Sequence, residues 1–205
     1  MNDCRLPRVM TIVLAIFLSS CSHRTLFPQT GPSLDQTEQL LAVAPSNWQV
    51  AYQLNTGATR IVDYLPLNEA EPDWQRKLSF ESHQTLTYLD PIEALLAEVA
   101  KVRETCDQVQ DFNLFSGFEN NYKTSTRLLL CGKNVLTNNG EISLLKVIQG
   151  NDYLYFIRML KRTAPFKDRE PDMATAEIAE WSRYLSNIKL CDPRQPQHAC
   201  QIGGQ

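Results

Sequence analysis

A run of ten mostly apolar residues near the amino terminus, Val9 to Leu18, constrains this chain more than any other feature. Arg5 and Arg8 precede the run, and Cys21 follows it after two serines. A basic head, a short apolar segment and small residues at its end are the three parts of an export signal. A membrane-spanning helix needs about 20 apolar residues, so this run is too short to remain as an anchor. We therefore expect residues 1–20 to be removed and the rest to fold outside the cytoplasm.

The end of this signal, Leu18-Ser19-Ser20-Cys21, resembles the lipobox of bacterial lipoproteins. The resemblance implies that the Cys21 thiol receives diacylglycerol and that the new amino group is acylated in diderm bacteria. Several acyl chains hold a protein lastingly at a membrane, at about 0.8 kcal/mol per buried CH2. Lipoproteins that are retained in the inner membrane often carry Asp directly after the lipidated cysteine. This chain has Ser22 at that position, so the resemblance favours location on the periplasmic face of the outer membrane. The alternative is an ordinary cleaved signal in which Cys21 is incidental.

The six cysteines divide by position. Cys4 leaves with the signal and Cys21 takes the lipid. Four then remain in an oxidising compartment: Cys106, Cys131, Cys191 and Cys200. Of three possible connectivities we favour disulfides within the first two and within the last two, because each joins neighbouring segments. The rival interpretation is a metal site formed by Cys191, His198 and Cys200, but a zinc site needs four ligands and no fourth is evident.

Net charge and chain length limit the partners and the number of domains that this chain can have. Removing the signal takes two of 20 basic residues and one of 23 acidic residues, so the remaining 185 residues carry a net charge of −4. A mildly acidic surface offers no broad field for nucleic acid. The length suits one core. We expect a lipidated tether at 21–46, one α+β domain at 47–200 and a disordered tail at 201–205. Within the tether, a short helix from Leu34 to Val43 is predicted, capped by Ser33.

Hydrophobic patterns predict a mostly antiparallel sheet. Alternating residues indicate a hairpin of 48–54 with 61–65, a strand at 78–82, a strand at 126–131, and a second hairpin of 141–148 with 153–161. Apolar residues fall on both faces of the second hairpin, which indicates a sheet covered on both sides.

Two main helices are predicted to pack on this sheet. Asp90-Pro91 places a capping carboxylate before a proline at the first helical position. The apolar residues at helical spacing that follow are expected in the core: Ile92, Leu95, Leu96, Val99 and Val102. The second helix is expected to begin at an Asp172 cap and to bury another stripe: Ala174, Ile178, Trp181, Leu185 and Ile188.

The apolar residues of 107–123 recur at neither the helical nor the strand spacing, so this segment is predicted to be irregular. They carry four aromatic residues: Phe112, Phe115, Phe118 and Tyr122. These side chains either fold over the sheet edge or form an apolar contact surface for a partner protein or lipid.

With these elements in place, the chain resembles a group of uncharacterised proteobacterial lipoproteins. The resemblance rests on the Trp48 strand, Trp74 ahead of a strand, the hairpin sequence 148–155, and Cys191-Asp192-Pro193 with His198 and Cys200 nearby. The element order is also similar to the PsbP-like α-β-α sandwich. PsbP-like proteins mostly serve as accessory or assembly factors, so the analogy implies a non-catalytic role.

Sequence motifs of catalysis are missing: there is no Gly-x-Ser-x-Gly, phosphate loop or His-Glu-x-x-His. His83 has Glu81 two residues away on the same strand face, which would suit a base, although a solvated strand-end histidine is the simpler interpretation. An acidic run would suit calcium but lacks EF-hand spacing: Asp63, Glu69, Glu71 and Asp73.

Three functional hypotheses follow from these observations. The first is a non-catalytic accessory or binding module that docks on an envelope protein, without a cofactor beyond the covalent lipid. The second is an inhibitor, or immunity-type lipoprotein, directed against an exported toxin or lytic enzyme. The third is an envelope hydrolase, which would need clustered polar groups in a pocket.

Overall fold

The computed structural model describes residues 37–167, 175–198 and 200. The signal peptide with Cys21, the Asp172 cap and the tail at 201–205 lie outside the described residues. The strands are β1 (Gln39–Leu41), β2 (Trp48–Asn55), β3 (Thr59–Pro66), β4 (Arg76–His83), β5 (Val109–Glu119), β6 (Tyr122–Cys131), β7 (Gly140–Gln149), β8 (Leu154–Thr163) and β9 (Lys189–Cys191). The helices are α1 (Pro91–Thr105) and α2 (Thr175–Asn187).

The main sheet has seven antiparallel strands in the order β2-β3-β4-β8-β7-β6-β5. A second sheet consists of β1 paired with β9. Both predicted hairpins are confirmed, as β2–β3 and β7–β8. The predicted α+β class, with one domain, a mostly antiparallel sheet, two main helices and two disulfides, is also confirmed.

Helices cover both faces of the sheet centre, as predicted. On one face, α1 packs Leu95 and Val99 against side chains of β6, β7 and β8. On the other face, α2 packs Trp181 and Leu185 against the alternate residues of the same strands. Residues of β7 are therefore buried on both sides, which explains why this strand is a nearly continuous apolar run.

The buried face of α1 differs from the predicted stripe. Asp90 caps the helix as expected, accepting a hydrogen bond from the Ile92 amide at 2.9 Å. However, Ile92 and Leu96 are exposed. The helix turns another set of residues to the sheet: Pro91, Ala94, Leu95, Glu98 and Val99. Glu98 occupies a core position because it pairs with an arginine of β8, and a pattern of apolar residues alone cannot reveal that.

Two predicted local structures are wrong. Residues 109–119 form an edge strand, β5, rather than an irregular loop, with a bulge between Asn113 and Phe115. The strand is exposed along most of its length, so it lacks the alternation that burial imposes. The helix predicted at 34–43 is wrong for residues 39–41, which pair with β9 instead.

Both disulfides join the predicted partners. Cys106–Cys131 links the end of α1 to the end of β6, and Cys191–Cys200 closes the carboxyl-terminal loop. The alternative metal site is therefore wrong, because both thiols it required are oxidised. His198 is engaged elsewhere: its Nδ1 lies 3.0 Å from the Asn120 carbonyl oxygen, and its ring stacks on Tyr122.

Candidate binding site

Several turns meet at one end of the main sheet, which we call the tether end. It comprises the β5–β6 turn, the β7–β8 turn, the segment after β4, and residues 37–38, where the described chain begins. Hydrogen bonds join these pieces: Asn151 N donates to Glu38 Oε2 at 2.7 Å, and Gln149 Nε2 donates to the Thr87 carbonyl at 2.9 Å. The described part of the chain thus begins at this end of the sheet.

An open cleft of about 860 Å³ lies at the tether end. Its floor is a row of three neighbouring strands, in which Ser82 is flanked by Arg60 and Tyr155 in register. One wall comes from the β1 segment and another from the carboxyl-terminal loop. The principal lining residues are Glu38, Leu40, Arg60, Phe80, Tyr155 and Arg194. The volume is that of a typical small-ligand site.

Glu38 fixes the β1 wall of the cleft. Its buried carboxylate accepts hydrogen bonds from the amides of Asn151 and Asp152, at 2.7 and 3.3 Å. A side chain at Gly150 would collide with this carboxylate, so the turn needs glycine there. Burial raises the pKa of Glu38, although the two amides act in the opposite direction. The carboxylate therefore serves as an internal clasp between β1 and the β7–β8 turn.

Arg194 fixes the opposite wall. Its guanidinium binds Asp192 through Nε and Nη2, both at 2.8 Å, and reaches Asp152 at 2.7 Å. Asp192 is fully buried, and hydrogen bonding to Arg194 lowers its pKa. The bidentate pair with Asp192 orders the disulfide-closed loop itself, and the contact with Asp152 anchors that loop to the β7–β8 turn. Arg60, in contrast, forms no ion pair with any described residue and stacks over Tyr153.

A second charged network lies on the α1 face behind the cleft floor. Arg158 of β8 bridges Glu81 at 2.8 Å and Glu98 of α1 at 2.5 Å. Burial opposes ionisation of Glu98, but the contacts with Arg158 and Lys101 together outweigh burial and lower the pKa of Glu98. His83 lies 3.3 Å from Glu81, so the two share a face as predicted. Because Arg158 of β8 pairs with Glu98 of α1, this network holds α1 on the sheet.

His83 is the residue that the sequence suggests as a catalytic base. Its Nδ1 lies 3.4 Å from Thr59 Oγ1, and its ring contacts Phe156 edge-on. Neither His83 nor Thr59 is among the residues that line the cleft. Glu81, the partner of His83 in this row, does line the cleft, where Arg158 holds its carboxylate at 2.8 Å.

The acidic run does not assemble into a cation site. Glu69 accepts the amides of Gln75 and Arg76, and Glu71 binds Lys77 at 2.7 Å. Asp63 accepts the Ser79 hydroxyl at 2.6 Å. Among the described residues, no group of three or more His, Cys, Asp or Glu is arranged to hold a metal.

The four predicted contact aromatics fall into three environments. Phe112 and Phe115 are exposed on the α2 side of β5, whereas Phe118 is 66% exposed on the α1 side. Tyr122 must be removed from the predicted surface, because it is only 3% exposed and packs on His198. Its buried hydroxyl lies near the Glu38 carboxylate, and burial together with this negative charge raises the pKa of Tyr122.

Sequence reasoning missed the Glu38 clasp and the Arg194 bridge. The only local signals were Gly150 in the β7–β8 turn and Asp192 after the last strand. Neither signal identifies its partner, because Glu38 lies more than 100 residues from the amides it binds.

Comparisons with known proteins add general likeness only. No protein-family model and no curated protein matches the sequence. The Ran-binding protein Mog1p of Saccharomyces cerevisiae is similar at 14% identity with a TM-score of 0.41, covering 74% of this chain and 85% of that one. LpqN of Mycobacterium tuberculosis, involved in cell envelope biogenesis, is similar at 10% identity and a TM-score of 0.40, covering 76% and 83%. At these values neither likeness bears on the function of this chain. Within the described residues, neither helix is long and apolar enough to cross a bilayer.

Proposed function

We propose that this protein is a lipid-anchored, non-catalytic binding module of the bacterial cell envelope that docks on another envelope protein along β5. The observation that carries the proposal is the exposed edge of this 11-residue strand. Among the described residues, no strand pairs with its outer side. Phe112 and Phe115 project from the same strand and are exposed.

An edge strand presents backbone donors and acceptors to any extended segment that approaches it. Charged side chains commonly protect such edges. The two acids of β5 are instead engaged within the domain: Asp111 binds Arg127 at 2.6 Å, and Glu119 binds Lys146 at 2.5 Å. The edge therefore exposes apolar side chains and, apart from the bulge between Asn113 and Phe115, lacks the charged protection of many edge strands, which suits recognition of a partner strand.

The location follows from the lipobox resemblance at Cys21 and from Ser22 after it. Two disulfides support folding in an oxidising compartment. The acids at the cleft support a structural rather than a catalytic role, because Asp152, Asp192 and Glu81 are each paired with an arginine. Glu38 is held instead by two backbone amides. The finer assignment, to the periplasmic face of the outer membrane, is part of this proposal.

Site-specific photocrosslinking in intact cells tests the docking surface. A benzophenone amino acid replaces Phe112 or Phe115, and the matched control replaces Tyr52, an exposed aromatic of the opposite edge strand β2. We expect one discrete protein adduct from the β5 positions and none from position 52. The same adducts at all three positions, or none at β5, would contradict the docking surface.

Mass spectrometry of the native protein tests the anchor. We expect the amino-terminal peptide to begin at Cys21 and to carry diacylglycerol and an amide-linked acyl chain. An unmodified amino terminus would remove the basis for the envelope location, whatever the crosslinking result.

The cleft supports a second candidate function, the carriage of a small envelope ligand. Its volume and its mixed lining of Phe80, Tyr155 and Arg60 favour this function. Purification of the protein from its own membranes, followed by mass spectrometry under native conditions, would detect a retained ligand. Loss of that ligand in an Arg60→Ala variant would place it in the cleft.

A further inference from the structure

A small apolar surface lies at the tether end on the α1 side of the sheet. It consists of Ile92 and Phe118, together with Tyr88 in the segment just before α1, and all three residues are exposed. Ile92 of α1 and Phe118 of β5 line one shallow groove of about 250 Å³. Lys123 lies at the rim of this groove and pairs with Asp90 at 3.3 Å. We call these three exposed residues the tether-end surface.

Hydrogen bonds connect this surface to the point where the chain enters the domain. Lys123 is paired in register with Gln149, whose side chain binds the Thr87 carbonyl beside Tyr88. The next residue, Gly150, abuts Glu38. The surface and the entry point therefore occupy the same end of the sheet.

The chain between Cys21 and this entry point is short. Residues 22–36 are fifteen residues, which span at most about 50 Å when fully extended. A lipid on Cys21 thus keeps residue 37, at the same end of the sheet as the tether-end surface, within about this distance of the bilayer. The local concentration of membrane is then high, because contact is intramolecular rather than bimolecular.

We infer that the tether-end surface rests on the membrane that holds the Cys21 lipid. This inference rests on the proposed anchor. Three side chains are too few for a stable interface between two proteins, which buries about 800 Å² per partner. They suffice for a lipid boundary, since the anchor already supplies the attachment. Phenylalanine and isoleucine suit the acyl region, and the Tyr88 ring and the Lys123 stem suit the headgroup layer.

This orientation is compatible with protein docking along β5. Phe118 faces the α1 side of the sheet, whereas Phe112 and Phe115 face the α2 side. Membrane contact through Phe118 leaves the other two phenylalanines available to a partner. The two exposed groups on one strand would therefore serve two different neighbours.

Fluorescence quenching by brominated lipids tests the inference on the purified full lipoprotein. The protein is reconstituted in vesicles of phosphatidylethanolamine and phosphatidylglycerol, with and without bromine on the acyl chains. Phe118→Trp and Ile92→Trp place a probe at the tether-end surface. Leu136→Trp is the matched control, because Leu136 is at least as exposed as the two probe positions and lies on the β6–β7 loop at the far end of the sheet. The unsubstituted protein gives the background of the three native tryptophans.

We expect brominated lipid to reduce the added fluorescence of Phe118→Trp and Ile92→Trp and to leave that of Leu136→Trp unchanged. Equal quenching at both ends, or quenching at neither, would overturn the inference while leaving the proposed function intact, provided that the Cys21 peptide carries lipid. A dimer crosslinked through position 118 would assign the surface to a second copy and would also overturn it. An unlipidated Cys21 would refute the proposed function itself.

Discussion

Lys146 offers the sharpest test of how this fold is held together. Its side chain is 1% exposed beneath the end of α2. The ammonium donates to the Leu185 and Ile188 carbonyls at 2.7 and 2.8 Å and to Glu119 at 2.5 Å. One residue of β7 thus satisfies the carbonyls at the end of α2 and also holds the end of β5. Burial lowers the pKa of Lys146, and the Glu119 contact opposes that shift.

We expect Lys146→Met to cost about 3 kcal/mol of unfolding free energy. Methionine keeps most of the buried stem but removes the ammonium, so Glu119 and two carbonyls lose their donor. Breaking a buried ion pair from one side costs about 3–5 kcal/mol. Glu119 is partly exposed and can regain water, which places the loss at the lower end of that range. A loss of this size lowers the folding equilibrium constant by about 150-fold.

Urea unfolding followed by tryptophan fluorescence measures this loss, since Trp181 of α2 lies in the adjacent core. Lys189→Met, an exposed lysine of β9, is the matched control and should change stability by less than about 0.5 kcal/mol. The double variant with Glu119→Gln should be more stable than the sum of the single losses, by about 1 kcal/mol or more. Additive losses, or a Lys146→Met protein as stable as the control, would refute the reasoning.

Three further predictions concern the core, one disulfide and the clasp. Leu95→Ala should lower the free energy of unfolding by about 3–5 kcal/mol, because Leu95 is 0% exposed. Leu96→Ala, at a residue that is 47% exposed, should lower it by less than about 1 kcal/mol. Equal losses in urea unfolding would contradict the assigned helix face. Replacing both Cys106 and Cys131 by Ala should remove about 3.5 kcal/mol, given the 25-residue separation, and an unchanged unfolding midpoint would contradict it. Burial raises the pKa of Glu38 above 4.5, so the native state binds the Glu38 proton more tightly than the unfolded chain does. This tighter proton binding stabilises the native state at low pH, and the stabilisation is lost as pH rises from 4.5 through the raised pKa. The wild type should therefore lose more stability than Glu38→Gln over that interval, and parallel unfolding midpoints against pH would exclude Glu38 as the cause.

Local sequence determined the parts of this fold whose physical causes are local. The Asp90 cap acts on an amide two residues away. The β2–β3 and β7–β8 hairpins pair adjacent segments across short turns, and burial on both faces makes β7 continuously apolar. Both disulfides join cysteines that are close in the chain, so their pairing could be predicted as well.

Tertiary structure alone decided the elements that depend on distant partners. β5 is a strand because β6 offers it an edge, although its own exposed residues show no strand period. β1 exists because β9 lies beside it, about 150 residues later in the chain. The Glu38 clasp has the same origin, since its carboxylate is satisfied by amides of a turn more than 100 residues away. Burial of one face of a helix or strand leaves a periodic pattern of apolar residues in the sequence. A hydrogen bond between remote segments leaves no such pattern.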